Sequence, residues 1–342
     1  MSKPRVLSGV QPSGNLHIGN YLGAIRNWAA EQDQFENYFC VVDHHAITVP
    51  QDPDELRRRT ISLTNSYLAA GLDPNRVTIF IQSHVPEHTE LAWILNTFTY
   101  FGELKRMTQF KEKAGKRQEE VNVGLFDYPV LQAADIVLYD ANFVPVGEDQ
   151  RQHVELTRDI AQRVNYRMGE GTLVVPEPLI KVEGARIMGL DDPTKKMSKS
   201  APTPRNYIAL SDDPDTIRQK FRAAVTDSGT EIRAAEDKPA LTNLLTIYSL
   251  FTGLPVAEIE ARYAGKGYSD LKRDLAEVVI EGLAPFQQRM AELEANPDYT
   301  VSVLREGASR AQAQAITVLN RVKERMGYVL PFTQAAAAPA RS

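Results

Sequence analysis

The sequence predicts an α/β protein, a parallel sheet covered on both faces, followed by an all-helical region. Three observations lead there. Short apolar runs without alternation recur through the first 82 residues, amphipathic stretches separate them, and beyond Pro214 only helical periodicity persists. With 342 residues and roughly 150 residues per domain, two domains are expected. We place them at 1–205 and 206–330, with an Ala/Pro-rich tail over 331–342 whose composition predicts disorder.

Val6-Leu7 opens the first strand, which runs into a turn-rich stretch from Ser8 to Asn15. Ile18, Leu22 and Ile25 then stand at helical spacing. Phe39 to Val42 form a second strand that stops at Asp43-His44-His45. Pro53 starts a helix carrying Leu56, Ile61, Leu63, Tyr67 and Leu68, and Gly71 ends it. Val77 to Gln82 make a third strand, ending at His84. Ligands of such sheets bind at the carboxyl ends of the strands, here Ser8–Gly14, Asp43–His45 and Ser83–His88, which with His17 collect five of the six histidines. Later stretches near 214–225, 240–253, 256–264, 269–295 and 300–327 read as helices.

Composition narrows the class. There are 39 Lys and Arg against 44 Asp and Glu, net charge -5, so any nucleic acid must be bound locally rather than by bulk charge. Hydrophobic residues at 43% and charged residues at 24% are ordinary for a soluble globular protein. No apolar run approaches the ~18 residues of a membrane span, and Pro4 and Ser8-Gly9 interrupt any leader-like stretch. A cytoplasmic protein with no membrane partner is expected. The single cysteine, Cys40, lies in Tyr-Phe-Cys-Val-Val, reads as core packing, and leaves no disulfide or Cys-rich zinc site.

Neither GxxxxGK[ST] nor GxGxxG occurs, so a P-loop or a dinucleotide fold is not supported. His84-Val-Pro-Glu-His88 spells a zinc-like pattern, but Pro86 would break the helix that must present both imidazoles. No protein-liganded metal is expected. Residues 105–117 hold six basic side chains and one acidic one, which suits either a solvated helix face or a phosphate-facing surface. Residues 191–205 carry three prolines and four basic residues and read as a mobile surface loop.

Two motifs stand out. In Pro12-Ser13-Gly14-Asn15-Leu16-His17-Ile18-Gly19-Asn20, between a strand and a helix, His17 and Asn20 offer hydrogen bonds and Gly19 permits close approach to the backbone. A capped helix start is the plainer reading. In Lys196-Met197-Ser198-Lys199-Ser200, two ammonium groups three residues apart can reach one polyphosphate, and a loop can close over it.

His17-Ile-Gly-Asn20 and Lys196-Met-Ser-Lys-Ser200 resemble the paired signatures of class I aminoacyl-tRNA synthetases. Residues 8–25, DHHAIT (43–48), GELKRMTQFKEK (102–113), LFDYPVLQAADI (125–136), VPVGEDQRQHVELTRDI (144–160), GARIMGLDDPTKKMSKS (184–200) and AAVTDSG (223–229) resemble the bacterial-type tryptophanyl family, essentially over 1–330.

That resemblance implies a Rossmann-like catalytic domain over 1–205 and a helical anticodon-binding domain over 206–330. It implies activation of L-tryptophan with ATP to tryptophanyl-adenylate, then transfer to tRNA(Trp), by a homodimer. By similarity Gln11, Pro12, Ser13 and His17 would line the ATP site, with Gly19 and Asn20 under the adenosine and Ile187 beside the adenine. Gly147, Glu148 and Asp149 would approach the ribose and the activated carboxyl. Lys196, Met197, Ser198, Lys199 and Ser200 would hold the leaving pyrophosphate with Mg²⁺, and Lys113 is a further phosphate contact. Lys196, Lys199, Asp149 and Lys113 are the catalytic candidates.

For tryptophan, the resemblance sets Asp135 against the indole N–H, with Tyr128 and Gln150 near the amino group. Val144 and Val146 would form the apolar wall, and His45 and Gln109 further pocket positions. Departures from the family pattern are Gln132 in place of a common Met, Leu7 of an aromatic residue, His17 of a common Thr, and Ala201 of a frequent Asp. Residues 206–330 are net acidic, with only Arg305 to Arg325 locally basic, so tRNA binding there rests on the resemblance. The other reading is a synthetase-like paralogue that senses or binds tryptophan. The intact Lys196 and Lys199 argue against it.

Overall fold

A computed structural model of the chain describes residues 3–14, 16–109, 121–180, 186–199 and 201–330. Five parallel strands form its sheet: β1 (Arg5–Val10), β2 (Glu36–Val41), β3 (Thr78–Ile81), β4 (Phe143–Pro145) and β5 (Glu177–Leu179), in the order β3-β2-β1-β4-β5. The pairing is regular from Arg5↔Glu36 to Val10↔Val41 and from Tyr38↔Thr78 to Val41↔Ile81. β4 and β5 have three residues each and neither was anticipated; Pro145 and Pro178 interrupt the runs that would have announced them.

The strands lack alternation because both faces are buried. Tyr38, Cys40 and Phe80 enter one core, and Phe39, Val41, Ile79 and Ile81 the other. Cys40 is fully buried, and burial pushes its thiol well above the ordinary value, so it is packing and not a nucleophile.

The segment after β1 begins as a short helix, α1 (Ile18–Asn20), widens into a π-helical turn over Tyr21–Ile25 and continues as α2 (Arg26–Glu31). α3 (Asp43–Ala46) follows β2. α4 (Pro53–Ala69) starts where expected: Asp52 caps it by accepting the Glu55 N–H at 2.8 Å, and Pro53 supplies the fixed φ of a first turn. α5 (Glu87–Asn96), α6 (Phe101–Arg106), α7 (Val123–Val137) and α8 (Arg151–Met168) complete the sheet half.

The C-terminal half is helical, with α9 (Pro214–Ala223), α10 (Pro239–Thr252), α11 (Val256–Arg262), α12 (Tyr268–Ala295) and α13 (Pro297–Arg325). It is not packed apart from the sheet. Ile18, Leu22, Ile187, Leu190 and Met197 share one core with α9–α12. α13 lies along the edge strand β3 and sends Ala311, Ala315, Val318 and Val322 into the sheet core. An edge strand covered in this way presents no open ladder to another chain. No single helix among the described residues is long and apolar enough to cross a membrane. The expected tail over 331–342 lies outside the described residues.

Candidate active site

Strand order reverses direction between β1 and β4, and a crevice opens at their carboxyl ends, the position where open α/β sheets bind ligands. Three adjoining cavities occupy it. One of about 370 Å³ is lined by Gly9, His45, Tyr128, Asp135, Val144 and Gln150 among others. Pro145, Val146 and Gly147 separate it from a second, about 220 Å³, that Gly19, Asn20, Arg186, Ile187 and Lys196 enclose. Gln11 joins the first to a third, about 860 Å³, bordered by Pro12, Ser13, His17, Ser198 and Lys199 on one side and by Arg58 and Arg59 of α4 on the other.

His17 and Asn20 do cap α1. The Asn20 Oδ1 accepts the His17 N–H at 3.2 Å, and the Gly19 N–H donates to His17 Nδ1 at 3.1 Å. A Cβ at position 19 would fall 2.9 Å from Nδ1, so only glycine allows this bond. The cap also has a chemical result. Burial, then the charges of Lys199 and Lys196, depress the imidazole to about 4, so it is neutral at pH 7. With Nδ1 accepting, the hydrogen sits on Nε2, which makes His17 a neutral donor beside two ammonium groups. The two readings of the motif are therefore one device.

The lysine loop is more tied down than its composition predicts. Met188 and Lys196 bridge in antiparallel fashion, and the Met197 N–H donates to the Ile187 carbonyl at 3.0 Å. Asn243 of α10 holds Met188 through both backbone groups, and the Asn206 Oδ1 accepts the Ser198 N–H at 2.9 Å. Met197 is buried and serves as the anchor rather than as cavity wall. Lys199 is thereby carried to the turn after β1, where Nζ donates to Ser13 Oγ at 3.1 Å. Burial and the nearby Arg59 charge lower its ammonium, a state that an incoming anion would relieve.

Asp135, 3% exposed on α7, lines the first cavity. Its Oδ2 accepts His45 Nε2 at 2.9 Å, while Oδ1 accepts His88 Nδ1 at 2.6 Å and Gln82 Nε2 at 2.7 Å. Burial alone would raise this carboxyl, but the hydrogen bonds from His45 and His88 outweigh it and hold it well below the usual carboxylate range. It is a buried charge, stabilised in place. Tyr128 bonds Gln109 Oε1 at 3.2 Å and His153 Nε2 at 2.8 Å, and burial pushes its phenol up to about 12.

The crevice thus gathers Gln11, Pro12, Ser13, His17, Gly19, Asn20, Gly147, Ile187, Lys196, Ser198 and Lys199, and beside them Asp135, Tyr128, Gln150, Val144, Val146, His45 and Gln109. Gln132 and Leu7 line it too. Glu148 and Asp149 do not enter these cavities: Glu148 pairs with Arg151 and Asp149 accepts from the Gln150 amide, both on the exposed rim. Lys113 and Ser200 lie outside the described residues. Sequence reasoning missed Gln82, Arg58, Arg59 and Arg186. It noticed His88 only within the zinc-like pentapeptide. Glu87 of that pentapeptide instead accepts from Gln312 of α13, while His88 turns inward to Asp135.

The family model described as class I tRNA synthetases of the W and Y type matches residues 1–284. The tryptophan--tRNA ligase of Caldanaerobacter subterraneus is 59% identical over 327 residues, covering 95% of this chain and 99% of the relative. Among solved structures, the tryptophanyl-tRNA synthetase of Mycoplasma pneumoniae superposes with a TM-score of 0.85 at 37% identity, covering 96% of this chain and 99% of its own. That of Campylobacter jejuni, solved with ADP and tryptophan, gives 0.83 at 36% identity over 94% of this chain and 99% of its own.

Proposed function

The chain belongs to the class I tRNA synthetases of the tryptophan and tyrosine type, and on that premise we propose that it activates L-tryptophan with ATP and charges tRNA(Trp). One observation carries the choice of amino acid at the level of chemistry. Among the described residues, a cavity walled by Leu7, Ile136, Val144 and Val146 holds a single buried carboxylate, Asp135. Indole has one polar ring atom, an N–H that donates and cannot accept.

The tryptophan carboxylate attacks the α-phosphorus of ATP. A carboxyl-oxygen-to-phosphorus bond forms, the bond to the bridging oxygen breaks, and pyrophosphate departs with the electron pair. No protein nucleophile is needed, so catalysis is positioning and charge stabilisation. Lys196 and Lys199 take the growing negative charge, and the His17 Nε2–H donates to a phosphate oxygen. Ser198, Ser200 and Lys113 assist. Gln150 and Tyr128 orient the amino group, while Gly147 faces the ribose with Glu148 and Asp149 on the rim beside it. A hydroxyl of the 3′-terminal ribose of tRNA(Trp) then attacks the adenylate carbonyl and AMP leaves.

Among the described residues no group of three His, Cys, Asp or Glu side chains is placed to hold a metal. Mg²⁺ enters as part of the MgATP substrate. Family membership further supports a cytoplasmic homodimer in which residues 206–330 read the anticodon. The test is ATP–pyrophosphate exchange across the twenty amino acids. Exchange with tryptophan alone is expected; exchange with tyrosine, or tryptophan binding without any exchange, would overturn the assignment, the latter in favour of a sensor.

A further inference from the structure

Behind the Asp135 carboxylate lies a buried polar chain that the reaction itself does not use. His88, at 0% exposure, is bonded at both ring nitrogens: Nδ1 to Asp135 Oδ1 at 2.6 Å and Nε2 to Tyr139 Oη at 2.7 Å. Tyr139 is also wholly buried, stacked on Tyr38 at 4.7 Å between ring centroids. Burial pushes its phenol well above the ordinary value, so it keeps its hydrogen. Neither residue touches the cavity.

The direction of the chain follows from the chemistry of its members. An ionised carboxylate offers only acceptors, so His88 Nδ1 must donate. The Tyr139 hydroxyl keeps its hydrogen and lies 2.7 Å from Nε2, which makes it the donor available there. The order is then Tyr139 O–H to Nε2, and Nδ1–H to Asp135 Oδ1. Gln82, likewise at 0% exposure, adds a second donor to the same oxygen. Oδ1 is therefore occupied by protein twice. Among the described residues Oδ2 accepts from His45 alone, and its remaining lone pair is the one left for a ligand.

We propose that His88, with its hydrogen fixed by Tyr139, is a positioning residue for amino-acid selection: the relay saturates Oδ1 and turns Oδ2 of Asp135 toward the indole N–H. This rests on the tryptophan reading above. The carboxylate cannot rotate without breaking two buried bonds, so a donor that arrives at another angle meets no acceptor. A phenyl ring, with no donor, would desolvate the remaining Oδ2 lone pair without pairing it. Selectivity is then a property of the residues behind the pocket as well as of its wall.

The test is a double-mutant cycle read by tryptophan affinity and by the tryptophan-to-phenylalanine ratio in pyrophosphate exchange, using the full-length protein. His88→Leu removes the charge-assisted bond and should weaken tryptophan binding about tenfold to hundredfold, with ATP affinity unchanged. The same change in an Asp135→Ala background should add almost nothing, because its effect runs through that carboxylate. His88→Asn, whose amide nitrogen overlies Nδ1, should recover most of the loss. Tyr139→Phe should cost about two- to tenfold. If His88→Leu fails to fold, the Asn and Phe variants and their cycles with Asp135→Ala decide the matter. Equal losses with and without Asp135 would reduce His88 to a core residue and overturn the proposal, as would unchanged selectivity in these variants. If the wild-type protein shows no tryptophan-dependent exchange, the function falls and the relay with it; wild-type exchange with unaltered variants removes the relay alone.

Discussion

Lys199 donates to Ser13 Oγ, and burial with the nearby Arg59 charge lowers its ammonium, which marks it as under-compensated. Lys196 lines the second cavity, which shares Asn20 with that of Lys199. In the proposed reaction both face charge that grows only as pyrophosphate departs, so Lys196→Ala and Lys199→Ala should each lower kcat for adenylate formation by about 10²-fold or more. Tryptophan Kd should hardly move; equal damage to both in single-turnover and equilibrium titrations would make the loop a scaffold. His17 gives a second outcome. Its folded value near 4 lies below the ordinary 6.5, so the unfolded chain binds more protons between those limits. Stability should therefore fall as pH drops from about 6.5 to 4, by on the order of 2–3 kcal/mol. Asp135 works in a separate window, since its depressed value removes stability only below about pH 4. Urea midpoints at pH 7 and 4.5 should show a wide gap in the wild type and a narrower one in His17→Asn.

Where α13 crosses β3, the helix and strand backbones meet at Gly307. A Cβ there would lie 1.8 Å from the Ile79 carbonyl oxygen, a strand atom that cannot step aside. In an exposed helix, Gly→Ala gains about 1 kcal/mol. Here overpacking costs about 1–3 kcal/mol or more, so the net sign is destabilising. Gly282 of α12 offers a control: its Cβ would meet the Phe251 ring at 2.3 Å, and a side chain can turn away. Denaturant melts should rank Gly307→Ala below Gly282→Ala. This crossing also marks where sequence reading stops. The Ala, Val and Leu positions of α13 say that one face is buried, but nothing in them names β3 as the partner. β1, β2 and β3 were legible because Val6-Leu7, Phe39–Val42 and Val77–Ile81 are β-branched or apolar throughout, without alternation. Phe143–Pro145 and Glu177–Leu179, three residues each, are too short for periodicity to act on. In the site, paired ammonium groups on a polar loop could be read from composition. Asp135 was reached by resemblance, and His88, whose carboxylate partner is 47 residues away, could not be reached at all.

The two halves of the molecule are bound by shared cores and by α13, which returns from the helical half to the sheet. Arg321 of α13 holds Asp140 at the sheet base, and Arg310 donates to the Pro74 and Val77 carbonyls. A chain ending at Ala295 would strip the cover from β3 and open the sheet core along Ala311 to Val322. Such a truncation should lose cooperative unfolding and expose apolar surface to a dye, while the full chain melts in one transition with matching near- and far-ultraviolet signals. A stable, native-like truncated protein would show that the rest of the fold stands without α13.

The seam between β1 and β4 has a consequence for how the protein is born. The Arg5 N–H donates to Asn142 Oδ1, 137 residues later in the chain. On the ribosome, β1, β2 and β3 can assemble once Ile81 is clear, but β1 keeps one flank without a neighbour until Phe143 emerges. At ~5–20 residues per second, that interval lasts roughly several seconds. Throughout it the nascent chain carries an open apolar strand edge in a crowded cell, and a holdase that shields such an edge would decide its yield.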